Sequence, residues 1–165
     1  MVKRRRASPS DDPQTRPIAA YRIGDPAGRF PVYSGAGAAV YPGRWNAAGQ
    51  RVIYASEHYS TALVEKLVYT LRLPPNQHFV QTTYLSRFRG TSGRTKTCQS
   101  AGIPMIPQLL APLERIGSAP VALVPSSVAP LERNVLINPA HPEASLLVVG
   151  PETPVPWDHR LFPQS

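Results

Sequence analysis

The sequence predicts a single α+β domain of mixed, twisted sheets with short helices, and three observations carry that expectation. Six short segments rich in β-branched or aromatic residues, each bounded by Gly, Pro or Asn, read as strands, against one clear helix. Strands and helices do not alternate regularly and no segment repeats, which argues against a doubly wound parallel sheet. Twelve of the 20 prolines lie from Pro104 onward, where each ends a helix or is confined to strand edges and turns. The 165 residues, 42% hydrophobic and 17% charged, suffice for one compact core and have a globular rather than a disordered balance.

Residues 1–17 (MVKRRRASPSDDPQTRP) are polar, hold three prolines and lack periodicity, so they read as a flexible basic tail ahead of a domain over 18–165. The first two strands are expected at Ala20–Ile23 and Arg51–Ser56. The helix is expected at Thr61–Leu71, with Ser60 as N-cap and Pro74-Pro75 as the stop. Along it Leu63, Val64, Leu67, Val68 and Leu71 form one apolar stripe. At ~100° per residue, Glu65 falls at the border of that stripe and Lys66 points nearly opposite to it. The remaining strands are expected at Phe79–Leu85, Val121–Val124, Asn134–Ile137 and Leu146–Val149. Met105–Ile116 has helical spacing interrupted by Pro107 and Pro112, hence a broken or single-turn helix.

The net charge of +8 makes the distribution of cations informative. Lys3, Arg4, Arg5, Arg6 and Arg16 against Asp11 and Asp12 leave +5 − 2 = +3 in the tail. From Lys66 to Leu113 there are six cations and no acid, so an anionic ligand or partner is expected there. No run approaches the ~18 apolar residues of a membrane-spanning helix, and no apolar segment follows the basic N-terminus as in an export signal. The single cysteine, Cys98, makes no internal disulfide, and His58, His78, His141 and His159 share no metal-ligand spacing. A cytoplasmic protein without a bound metal is the expectation.

The densest local pattern is Tyr41-Pro42-Gly43-Arg44-Trp45-Asn46, followed by Val52-Ile53-Tyr54-Ala55-Ser56 and then Thr61 to Glu65. Further along come Val124-Pro125-Ser126-Ser127, Glu132 to Pro139 and Trp157-Asp158-His159-Arg160-Leu161-Phe162. In order and spacing, from about Tyr21 to Phe162, these elements resemble the RES domain, named for its Arg, Glu and Ser and known as the toxin of RES/Xre toxin–antitoxin pairs. The resemblance implies an ADP-ribosyltransferase-like fold and an enzyme that consumes NAD⁺, in some members with inorganic phosphate as acceptor and release of nicotinamide. It places the family's arginines on Arg22 and Arg44, its tyrosine on Tyr54, its glutamate on Glu65 and its serine on Ser126. Asn134 and Asn138 fall in its asparagine-rich segment. Pro42 stands where family members carry the first glycine of Gly-Gly-Arg-Trp, and residues 91–119 match poorly. No cofactor is implied beyond NAD⁺ as substrate, and a helix-turn-helix antitoxin of the Xre kind is the implied partner, with DNA reached only through it.

The residue types suit that chemistry on their own terms. Cleaving the nicotinamide–ribose bond develops oxocarbenium-like charge, which a fixed carboxylate such as Glu65 stabilises. Forked donors on Arg22 and Arg44 match a pyrophosphate as lysines do not. The Tyr54 ring can cover nicotinamide or ribose, and Ser126 can fix the Glu65 rotamer or bind a ribose hydroxyl. Taken singly, each has a plainer reading: Arg44 beside Trp45 as a surface cation–π pair, Glu65 as a solvated helix residue, Tyr54 as core, Ser126 as a strand end and Asn138-Pro139 as a turn. Two other functions stay open, transfer of ADP-ribose to a protein and nucleic-acid binding through Lys66–Lys96, where few aromatics, Phe79, Tyr84 and Phe88 among them, offer stacking.

Overall fold

In the computed structural model, which describes residues 17–69, 77–85 and 119–161, the strands form one six-stranded sheet of order β4-β5-β2-β1-β3-β6. β1 spans Pro17–Gly24, β2 Ile53–Ser56, β3 His78–Leu85, β4 Val121–Pro125, β5 Arg133–Ile137 and β6 Val148–Pro154. Every described pairing is antiparallel. Among the described residues two helices accompany the sheet, α1 at Ala36–Val40 and α2 at Tyr59–Tyr69, with short 3₁₀ turns at Pro142–Leu146 and His159–Leu161. The architecture is α+β. None of the helices among the described residues is long and apolar enough to cross a membrane.

Sequence and strand chemistry agree on where the prolines go. Pro17 opens β1, Pro125 closes the edge strand β4, and Pro151 and Pro154 lie in the other edge strand, β6. A missing N–H disrupts no ladder at such places. β6 also carries the largest correction to the expected strands. Leu146 ends a 3₁₀ turn and the strand begins at Val148, running through Gly150 to Pro154. The β3–β6 ladder shifts register between Val80 and Thr82, and a Cβ on Gly150 would meet the Gln81 carbonyl oxygen at 3.0 Å. A glycine lets the two backbones close at this irregularity.

Both faces of the sheet are buried, by different means. On one face Ala20, Ile53, Ala55, Tyr84, Val121, Val135 and Ile137 form a continuous cluster that reaches Leu147. On the other, Val52, Val124 and Leu136 pack against Trp45 and Tyr54. Beside them α2 lies over β1, setting Ala62, Tyr59 and Leu63 against Ile23, Tyr21 and Phe79. The Tyr59 ring meets both Tyr21 and Phe79 edge-on, with centroids 5.7 and 5.1 Å apart.

The placement of α2 departs from the periodicity of its sequence. The helix starts at Tyr59, two residues before the expected start, so Ser60 lies inside its first turn rather than capping it. Val64 and Val68, members of the expected apolar stripe, are 40% and 56% exposed, whereas Thr61 and Ala62 are buried. The helix has turned small residues and its Glu65-Lys66 pair toward the sheet. Packing against the sheet through small side chains allows a close approach, and that outweighs the weaker gain from burying two valines. Lys66, expected to point away, is half-buried on the inner side. The expected end of the helix at Leu71, the stop at Pro74-Pro75, the Met105–Ile116 segment, Cys98 and most of the acid-free basic stretch lie outside the described residues.

Leu136 is fully buried between the central strands. Leu136→Ala should lower unfolding free energy by about 3 kcal/mol, measured by chemical denaturation, through lost transfer energy and the cavity left behind.

Candidate functional site

The face of the sheet that carries α2 opens into a cavity of about 620 Å³ lined by the ends of β1 and β2, the segment from Asp25 to Trp45, and α2. Its floor is decided by strand register. In antiparallel pairing Ser56 stands opposite Asn134, and Asn134 opposite Val124, so the polar pair projects on the same face one residue from the close of β4. The chain then turns at Ser126, whose Oγ accepts the backbone N–H groups of Val128 (3.2 Å) and Ala129 (2.9 Å).

Glu65 reaches down from α2 onto this floor. Its Oε1 accepts from Ser126 Oγ at 2.6 Å and from Asn134 Nδ2 at 2.7 Å. Asn134 Oδ1 in turn accepts from Ser56 Oγ at 2.7 Å, which fixes the direction of the amide and aims its N–H₂ at the carboxylate. Because two amides already occupy the Ser126 oxygen, its one proton is directed at Glu65 as well. Ser56 and Ser126 are each only 3% exposed, so the serine ends of these bonds lie within the protein while Glu65 and Asn134 line the cavity. No described residue donates to Oε2, while Glu65 itself lines the cavity.

The arginines take different positions. Arg22, at the end of β1, donates from Nε to the Val32 carbonyl (3.3 Å) and from Nη1 to the Tyr54 carbonyl (3.1 Å). Burial pushes its guanidinium below the ordinary arginine range, where it still carries its charge. Arg44 is exposed at the rim and donates from Nη1 to Ser127 Oγ at 2.7 Å. Its guanidinium thus makes a polar bridge across the mouth, and the cation–π contact near the site is instead Arg29 over Phe30, 5.4 Å from the ring centroid.

Tyr54 enters the Gly43–Asn46 turn. Its hydroxyl donates to Asn46 Oδ1 (2.8 Å) and accepts from the Trp45 N–H (3.1 Å). Burial pushes the phenol above its usual range, with the Trp45 N–H acting the other way. Asn46 completes the turn: Oδ1 also accepts from the Gly43 N–H at 2.8 Å, and Nδ2 reaches the carbonyls of Ala38, Ala47 and Gln50 at 2.8 to 3.1 Å. A Cβ on Gly43 would stand 2.7 Å from the Tyr54 hydroxyl oxygen, so only glycine leaves room for it.

Of the residues singled out in the sequence, the fold brings Glu65, Ser126, Asn134, Tyr54, Arg22 and Arg44 to or beside this cavity. Asn138 is not brought there. It follows β5 at the other end of the strand, where its N–H donates to the Pro120 carbonyl and its Oδ1 accepts from the Ala140 N–H at 3.0 Å, the turn that Asn138-Pro139 also suggested. Ser56 and Asn46 stand in the densest sequence pattern and Lys66 opens the acid-free basic stretch, but the sequence assigns none of them a place at the site. Strand alternation from Tyr54 is the available signal for Ser56, whereas the position of Asn46 inside the turn and of Lys66 beside Glu65 comes from the tertiary structure.

A family model for the RES domain matches residues 19–101. The chain belongs to the RES-domain family. The match takes in Arg22, Arg44, Tyr54 and Glu65, while Ser126 and Asn134 lie beyond it and are tied to Glu65 by hydrogen bonds. Among solved structures, a chain of the M. tuberculosis MbcT-MbcA toxin-antitoxin complex is similar in fold, with a TM-score of 0.57 and 13% identity over 85% of each chain. No curated protein sequence matches the chain.

Asn46→Ala removes five hydrogen bonds from one turn and should cost about 2 kcal/mol or more of stability, whereas Tyr54→Phe should cost about 1 kcal/mol. Thermal unfolding of the two variants checks the ranking, and an Asn46→Ala protein as stable as the parent would remove Asn46 as the organiser of the turn.

Proposed function

We propose that this RES-domain chain is the toxin of a toxin–antitoxin pair and degrades NAD⁺ by cleaving the nicotinamide–ribose bond, with inorganic phosphate as acceptor. The observation that carries this reading is the Glu65 carboxylate, with Oε1 tied down by two donors and no described donor on Oε2. Membership of the RES family and a cavity large enough for a nucleotide-sized ligand support it.

The chemistry asks little of acids and bases. When the bond between ribose C1 and the pyridinium nitrogen breaks, its electron pair passes to the nitrogen, so nicotinamide departs neutral and needs no proton. The demand falls on the positive charge left on the ribose, and a carboxylate that cannot rotate away stabilises it without reorganisation. Ser126, Asn134 and Ser56 serve as positioning residues for Glu65. Tyr54 presents its ring beside the ribose or nicotinamide, and Arg22 and Arg44 attract the pyrophosphate. Attack by phosphate on C1 gives a phosphorylated ADP-ribose, attack by water gives ADP-ribose and a proton, and a protein nucleophile in the same place would be ADP-ribosylated.

The solved relative in fold is a complex of a toxin with its antitoxin. By analogy the partner here is an antitoxin of the Xre helix-turn-helix kind that covers the cavity and supplies contact with DNA.

Incubating the protein with NAD⁺, with and without phosphate, and identifying the products separates the acceptors: phosphate-dependent loss of NAD⁺ marks a phosphorylase, equal loss without it a glycohydrolase. Glu65→Gln keeps size and removes charge, so turnover should fall about a hundredfold or more while the melting temperature holds. Unchanged turnover would falsify the role given to Glu65.

A further inference from the structure

Lys66 follows Glu65 on α2 and lines the same cavity as Arg22, yet nothing in the cleavage chemistry above uses it. Around the cavity four cations, Arg22, Arg29, Arg44 and Lys66, face two acids, Asp25 and Glu65. Glu65 Oε1 is already engaged by Ser126 and Asn134. We propose that Lys66 and Arg22 together form a seat for a phosphoryl group in the wall of this cavity.

Three features argue for it. Arg22 is held by the carbonyls of Val32 and Tyr54 through Nε and Nη1, and its Nη2 has no partner among the described residues, so the open side of the fork is fixed in direction before any ligand arrives. The Lys66 ammonium is pushed below the ordinary lysine range, first by burial and then by the charge of Arg22, with Asp25 partly opposing. Both cationic side chains thus line one half-buried wall, and a dianion seated there would meet a positive group from each of them. A lysine supplies the point charge and the arginine the planar fork, a division that suits the tetrahedral oxygens of a phosphoryl group.

The seat rests on the NAD⁺ reading only for the source of that group, which is either the diphosphate of the dinucleotide or free inorganic phosphate. Calorimetric titration of the full chain with ADP and, separately, with orthophosphate distinguishes the two. Lys66→Met should weaken at least one probe by about tenfold or more, and Lys66→Arg should restore most of the affinity. Loss of ADP binding alone assigns the seat to the dinucleotide; loss of orthophosphate binding alone assigns it to the acceptor. If Lys66→Met does not fold, acetylation footprinting of the parent protein gives the same decision, with Lys66 protected by the bound probe. Equal affinities in parent and Lys66→Met, no binding of either probe by the parent, or an unprotected Lys66 would overturn the seat. A parent protein that binds a probe through Lys66 but leaves NAD⁺ intact keeps the seat and removes the cleavage reading.

Discussion

Everything at the site depends on one carboxylate oxygen. Glu65 Oε1 is the meeting point of α2, the turn after β4 and strand β5, joined through Ser126 and Asn134. Behind these stand Ser56 on β2 and the amides of Val128 and Ala129, so each donor is itself directed by a further bond. Such a chain has only one consistent set of proton positions, and it links elements far apart in sequence through part-buried bonds at the edge of the cavity. Helix, sheet and cavity floor are thus set by the same few polar atoms, which explains why a helix with two exposed valines still docks with this face inward.

The strands were legible because their composition is local. β1 to β5 lie within a few residues of where β-branched runs bounded by Gly, Pro and Asn put them, and the prolines fall at openings, ends and edges as a missing N–H requires. β6 was displaced because Pro151 and Pro154 look like breakers, and their tolerance depends on the strand being at the edge, a property of the sheet rather than of the segment. The short helix α1, at Ala36–Val40, carries no stripe and gave no signal.

The site was legible in part and for a different reason. Glu65 stands out as a carboxylate on the border of a helix face, but the sequence turns Lys66 away from the core because periodicity assumes that the apolar side is the buried side. Here the helix covers a cavity, and what faces a cavity need not be apolar. Asn134 sits opposite Ser56, a cross-strand pair that becomes visible only once β2 and β5 are known to be neighbours. Asn138, equally prominent in the sequence, lies beyond the far end of the same strand, four residues from Asn134 and on other duties.

The contact between Gly43 and Tyr54 has a consequence for how this turn can change. A side chain at position 43 and a hydroxyl at position 54 compete for one small volume, since a Cβ there would come within 2.7 Å of the phenolic oxygen. Any route that places alanine or serine at 43 must pass through a smaller or displaced residue at 54, and that step also releases Asn46 Oδ1 and the Trp45 N–H from their shared partner. The two positions are therefore coupled as a pair, and the rim that carries Arg44 can be remodelled in sequence only by changing both together.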